Sequence, residues 1–357
     1  MSGVLSGDIV TPLLYWYADS ARVLPWRTEP TPYHVWISEI MLQQTRVEAV
    51  KDYYTRFLAA LPTVEALAAV PEDRLFKLWE GLGYYSRARN LRLAAKEIVN
   101  RFGGEFPCEY DDILSLPGIG SYTAGAIAAI AFGKRRPAVD GNVLRVLGRY
   151  GASDADIADP KTKKAAETCL LPLIPDRAGD FAQALIELGA TVCLPNAVPR
   201  CEGCPLRGNC RAAASGDPTA YPRKKRSAER KKKHLTVLLL CDESESERRY
   251  LIRRRPDRGL LAGLYEFPNE EGSLTPEEAV AAAKRYGFDA DRIERLPDAR
   301  HIFTHIEWEM TVYELRGGFP PQLKDPRLIR AASRELGERY AVPSAFAAVM
   351  NAIREKA

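Results

Sequence analysis

Leu116-Pro-Gly-Ile-Gly120 decides how the first half of this chain is read. It interrupts two helical patterns, Tyr110 to Ser115 and Ser121 to Phe132. Glycines at 118 and 120 let the backbone turn tightly and approach a neighbour closely. Amide N–H groups at the start of the second helix then point outward, which makes an anion site. An ordinary helix–helix turn is the plainer reading of the same G-x-G. No Lys-Ser/Thr pair follows, so a nucleotide P-loop is excluded.

Outward from the hairpin the helical patterns continue. Pro71 to Glu80, Tyr84 to Arg101, Val143 to Tyr150 and Asp180 to Val192 are separated by short Gly/Pro breaks, with few β-branched runs. Residues 1–212 are therefore expected to form an all-α domain. Residues 213–233 read as a linker, and the character changes at His234. Leu235 to Leu240 and Tyr250 to Arg253 look like strands around a polar turn, followed by helical patterns near 276–286 and 343–355. Strand-like segments lie near 299–303 and 308–314, so 234–357 is expected to be a second, α+β domain.

The length of 357 residues fits this division at roughly 150 residues per domain. With 46% hydrophobic and 27% charged residues the chain reads as globular, which excludes disorder, collagen and coiled coil. No apolar run nears the roughly 18 residues of a membrane span, and no basic-then-apolar leader is evident. The expectation is a cytoplasmic monomer with no membrane partner, nucleoid-associated if bacterial. Charge is uneven: 213–233 holds eight Lys and Arg against Asp217 and Glu229, net +6, leaving the rest at −2. A solvated linker and contact with a polyanion both fit that run.

Four of the seven cysteines follow a C-x7-C-x2-C-x5-C spacing: Cys193, Cys201, Cys204 and Cys210. Clustered thiols in a reducing compartment point to metal rather than disulfides. Structural zinc favours two short knuckles and only one exists here; a closely looped set also suits an iron–sulfur cube. Both remain open on spacing alone.

Two carboxylates stand out. Tyr33 to Val50 reads as one long helical pattern, and at about 100° per residue Glu39 falls between apolar neighbours such as Trp36, Val35 and Leu42. Such a burial is costly unless the group is neutral or paired, so a proton-holding acid or a hydrogen-bonded structural Glu is expected. Asp140, just before the helical Val143 to Tyr150, reads locally as an N-cap or turn residue. One neutral acid and one anion would suit cleavage of a glycosidic bond.

Together, several motifs resemble the adenine DNA glycosylases of the MutY family. They are Pro25-Trp-Arg27, Ser38-Glu-Ile-Met-Leu-Gln-Gln-Thr45, Gly81-Leu-Gly-Tyr-Tyr-Ser86, Leu116-Pro-Gly-Ile-Gly-Ser-Tyr-Thr123 and Val139-Asp-Gly-Asn-Val143. The resemblance covers nearly the whole chain and implies a helix–hairpin–helix glycosylase domain acting on duplex DNA with A:8-oxoguanine or A:G mispairs. It implies that Glu39 protonates adenine, that Asp140 stabilises the oxocarbenium ion or bonds to it transiently, and that Tyr122 and Asn142 support both. Gln44 and Tyr84 would wedge into the duplex, and Gly118 and Gly120 would hold its backbone. Trp26, Arg27 and Gln183 would line the adenine pocket. The four cysteines would hold a [4Fe–4S] cluster, although the first spacing is one residue longer than the family's. Lysine stands at position 122 in the endonuclease III branch, where its amine attacks the sugar and nicks the strand. Tyrosine implies a monofunctional glycosylase.

The second domain resembles the MutT-like (Nudix) recognition domain of the same family. Leu260-Leu-Ala-Gly-Leu-Tyr-Glu-Phe-Pro268 is similar to its glycine-rich strand, and Phe303-Thr-His305 to the loop that probes 8-oxoguanine. Taken alone, that tripeptide also reads as a strand end. Ala281, Lys284 and Arg285 stand where a catalytic Nudix helix carries its magnesium-binding glutamates. That departure disfavours the alternative of a nucleotide hydrolase.

Overall fold

The computed structural model describes residues 5–222, 229–244, 247–320, 322–323 and 325–356. Arg223 to Arg226, the first half of the basic run, lie outside them. The chain divides into two compact units: Met1–Ala69 with Asn90–Arg226, and Val70–Arg89 with Ser227–Ala357.

The described part of the first unit is helical. Helix Pro32–Leu42 starts at Thr31, whose hydroxyl accepts from the His34 amide at 3.2 Å, with proline at the first helical position. The single helix expected over 33–50 is in fact two. Gln44 turns into the left-handed region at φ 57° and a second helix runs Val47–Ala60. Val47 keeps the apolar phase of Trp36 and Ile40, so hydrophobic periodicity passes through the break without showing it.

The hairpin forms as expected between helices Tyr110–Ser115 and Ser121–Ile130. Gly118 has φ 76°, and a Cβ there would meet the Asn90 Cβ at 2.6 Å, so two constraints select glycine. Gly120 departs from expectation. It is extended, with φ −102°, and a Cβ there would meet nothing within 4 Å. Helix Ser121–Ile130 then packs close enough to Pro137 that a Cβ on Gly125 would overlap the Pro137 carbonyl oxygen. Helices Gly141–Tyr150 and Ala178–Thr191 close the core around Val139, Val143, Leu147, Phe181, Leu185 and Leu188.

In the second unit a mixed sheet of β1 (Lys231–Asp242), β2 (Arg249–Arg254), β3 (Tyr265–Glu266), β4 (Asn269–Glu271), β5 (Asp289–Ile302), β6 (Ile306–Gly318) and β7 (Leu328–Ala332) runs in the order β3-β2-β1-β6-β5. β4 pairs with β1 and β7 with β2; among the described residues β1 and β6 are the only parallel pair. Along β1, Leu235, Val237, Leu239 and Cys241 enter one core and Leu238 and Leu240 the other. The continuous apolar run read from sequence therefore reports a strand covered on both faces. Helix Pro276–Arg285 covers one face and helix Ala347–Lys356 the other.

Two features differ from the linear reading. Lys231 to Lys233, placed in the linker, begin β1 opposite Ile306 to Trp308. Val70–Arg89, inside the expected helical span, packs with the sheet unit. Both depend on contacts remote in sequence.

Gly125→Ala tests the close approach that brings 137–140 to its place. It should cost roughly 1–3 kcal/mol in urea unfolding, whereas Gly120→Ala should leave the midpoint nearly unchanged.

Candidate active site

Glu39 lies on helix Pro32–Leu42 with only 7% of its surface exposed. Tyr122, the second residue of the helix after the hairpin, donates its hydroxyl to Glu39 Oε2 at 2.6 Å. Burial pushes the Glu39 carboxyl up to about 7; the Tyr122 hydrogen bond and Arg27 oppose this, and the Asp140 charge adds to it. Burial together with the Glu39 and Asp140 charges holds the Tyr122 phenol well above its ordinary range. It remains a hydrogen-bond donor.

Asp140 is the N-cap of helix Gly141–Tyr150, as its local sequence suggested, and it also faces the same cavity. Oδ1 accepts from the Val143 amide at 2.8 Å and Oδ2 from Asn142 Nδ2 at 2.7 Å. Burial pushes this carboxyl up too, against those donors and the Arg145 charge. Asn142 Oδ1 in turn accepts from Arg145 Nη2 at 2.8 Å. Arg145 also donates to the Gly189 carbonyl at 2.6 Å and, through Nε, to the Cys193 carbonyl at 2.8 Å. A continuous hydrogen-bonded path thus joins the first cysteine to Asp140.

The cavity holds about 490 Å³, a volume suited to a small aromatic ligand. Trp26, Arg27, Gln44 and Gln183 line it beside the two carboxylates. Sequence reasoning missed a third carboxylate there. Glu187, on the same helix as Gln183, is fully buried and bridges Arg22 Nε at 2.6 Å and Arg27 Nη2 at 2.8 Å. Burial disfavours its charge, but the two guanidinium groups outweigh that and hold the carboxyl below its usual range. Its signal was present: Glu187 interrupts the apolar run Ala184 to Leu188 as Glu39 interrupts its own helix.

The four cysteines, none in a disulfide, line one cavity of about 30 Å³. Among the described residues no three Cys, His, Asp or Glu side chains converge closely enough to hold a single ion. Four cysteines facing one space are the donor set that a cube with one iron to each would need. The longer first spacing is taken up locally. Asn196 adopts φ 55° and the Arg200 amide returns to the Val192 carbonyl at 2.9 Å. Cys193 and Cys201 consequently face the same cavity, and Arg149 Nη1 donates to Cys193 Sγ at 3.4 Å.

Tyr84 and Phe303 to His305 meet in the second unit, around a cavity of about 530 Å³. The tripeptide is the β5–β6 turn. Tyr84 Oη and Thr304 Oγ1 are 3.0 Å apart, and Phe303 packs edge-on to Trp308 with centroids at 4.9 Å. The two expected wedge residues therefore belong to different units: Gln44 to the carboxylate cavity, Tyr84 to this one.

Residues 37–172 match the family described as HhH-GPD superfamily base excision DNA repair protein, and residues 236–352 match the NUDIX domain. An adenine DNA glycosylase of Arabidopsis thaliana is 36% identical over 93% of this chain and 62% of its own length. That of Mus musculus is 36% identical over 85% of this chain and 69% of its own length. The chain belongs to the adenine DNA glycosylase family. In fold, a thermostable thymine-DNA glycosylase is similar at TM-score 0.53 and 31% identity, covering 58% of this chain and 96% of that one. Members of the family are base-excision DNA glycosylases, and the cavity that holds Glu39 and Asp140 is the candidate centre for that chemistry.

Glu39 makes a signed prediction. Its folded-state value of about 7 lies above the ordinary 4.5, so the folded protein binds the proton more tightly than the unfolded chain does. Its contribution to stability is full below pH 4.5 and falls away as pH rises through about 7. Glu39→Gln, neutral at every pH, should melt above the unmodified protein at pH 8, by on the order of 3 kcal/mol. The gap should close toward pH 4.5, as thermal unfolding in a buffer series would show.

Proposed function

We propose that this chain removes adenine mispaired with 8-oxoguanine or guanine in duplex DNA by hydrolysing the N-glycosidic bond, and leaves an abasic site with the strand intact. The observation that carries the proposal is the Tyr122–Glu39 hydrogen bond in one cavity with the N-capping Asp140. A buried acid and an amide-held carboxylate are what a dissociative glycosidic cleavage demands.

The target base must first leave the stack, at a cost of a few kcal/mol that is smaller at a mismatch. Hairpin amides after Gly118 and basic side chains hold the flanking phosphates, and Gln44 fills space vacated in the duplex. Trp26, Arg27 and Gln183 receive the adenine. Glu39 gives its proton to N7 as the C1′–N9 bond breaks and the bonding pair departs with the base. Positive charge then develops on the sugar and is met by Asp140, with Asn142 keeping that carboxylate aimed. With the proton on N7 the adenine leaves neutral, and water then adds to C1′ and gives up a proton that restores Glu39. A tyrosine at 122 cannot form an imine with the sugar, which supports hydrolysis without strand scission. Tyr84, Phe303, Thr304 and His305 read the base opposite. Cys193, Cys201, Cys204 and Cys210 hold a [4Fe–4S] cluster, which when bound would support DNA binding without redox chemistry in base excision.

Excess protein mixed with a duplex carrying A opposite 8-oxoguanine should yield a cleaved strand only after hot alkali. Scission without alkali would replace the proposal with a bifunctional glycosylase, and binding without product in either lane would leave a mismatch-binding protein. Glu39→Gln should lower the excision rate by about 10²- to 10⁴-fold or more while duplex affinity persists. Excision by the unmodified protein should decline as pH rises through about 7. Metal analysis of anaerobically purified protein should find four iron and four inorganic sulfide per chain; zinc in their place would overturn the cluster.

A further inference from the structure

Tyr84 sits in an unfavourable conformation, with φ 48°, and the residue is 48% exposed. A non-glycine residue stays in the left-handed region only when its surroundings hold it there. Part of that support is local. Trp79 Nε1 donates to the Gly83 carbonyl at 3.1 Å, and Arg87 Nη2 donates to the Leu82 and Gly83 carbonyls at 3.0 and 3.1 Å.

The rest comes from segments more than 170 residues away, all in the sheet unit. Before the loop, Glu80 Oε1 accepts from the Val342 amide at 3.1 Å. Lys77 Nζ donates to Glu80 Oε2 at 2.6 Å and to the Tyr340 carbonyl at 3.4 Å. After it, Arg89 Nη2 donates to the Ala262 carbonyl at 3.1 Å and meets Glu72 Oε1 at 3.3 Å, a carboxylate that Arg254 also approaches at 3.6 Å. Both ends of the Tyr84 loop are thereby fastened to the sheet unit that carries Thr304.

The geometry points to Glu80, backed by Lys77, as a positioning residue for recognition of the base opposite adenine. By gripping the Val342 amide it holds Tyr84 against the Phe303–His305 turn, so that the two hydroxyls of Tyr84 and Thr304 read one base together. The inference rests on the proposed reading of those residues as the 8-oxoguanine probe. It adds that discrimination depends on a main-chain clamp that touches no nucleotide.

Single-turnover excision from A:8-oxoG and A:G duplexes tests it, with circular dichroism to verify folding of each variant. Glu80→Leu should lower the ratio of the two rates by about tenfold, with the A:G rate unchanged. Glu80→Gln, which retains an oxygen for the Val342 amide, should keep the ratio within about threefold of the unmodified protein. Lys77→Met should move it in the same direction as Glu80→Leu, and it decides the matter if Glu80→Leu does not fold. An unchanged ratio in the folded variants would overturn the inference, as would parallel losses on both duplexes. An unmodified protein that excises equally from both duplexes would instead remove the recognition reading on which the clamp depends.

Discussion

A carboxyl group shut away from water must keep its proton or find a partner, and the arrangement around Glu39 follows from that constraint. The partner offered is a phenol, which donates one hydrogen bond without bringing a positive charge. A lysine at the same position would pull the carboxyl down and leave an anion. With tyrosine there, burial prevails and the group titrates near pH 7. The hairpin matters because Tyr122 is the second residue of the helix it launches, so the glycine turn and the acid's partner are fixed by one backbone path.

Asp140 meets the same constraint in another way. It is covered, but its two oxygens are occupied by the Val143 amide and by Asn142, which Arg145 holds in turn. Because Arg145 also reaches the Cys193 carbonyl, the cysteine loop and the carboxylate share a rigid support. Glu187 shows a third solution, full burial between two arginines. Three carboxylates line one cavity, and their surroundings drive Glu39 and Asp140 toward the neutral form and Glu187 toward the charged one. At Asp140 the Val143 amide, Asn142 and the Arg145 charge oppose burial and favour the anion, whereas the hydrogen bond to Glu39 comes from a single phenol; that difference is the one the proposed pairing of an acid with an anion calls for.

The cavity of the sheet unit is lined by Tyr84, Phe303 and Thr304 together with Arg89, Asp257, Arg258, His301 and His305. The reading proposed for this unit, telling one base from close analogues, calls for fixed donors and acceptors. Rigidity there depends on the segments around 80, 262 and 342 meeting, which no local pattern announces.

The sequence by itself determined whatever rests on neighbours along the chain. The hairpin, the Asp140 cap, the four cysteines, the doubly buried β1 and the anomaly of Glu39 on an apolar stripe are all properties of short windows, where helical and strand periods act directly. Glu187 carried that same anomaly and was legible in principle. The break at Gln44 was not, because the apolar phase resumes beyond it and only the folded chain shows the left-handed residue between. Nor could a linear reading assign Lys231 to a strand, since its pairing partner lies at Ile306, or assign Tyr84 to the sheet unit, since its anchors lie beyond residue 260. Those outcomes were decided by tertiary structure. Hydrogen bonds between distant segments exist only once the chain has closed, and they leave no period in the sequence.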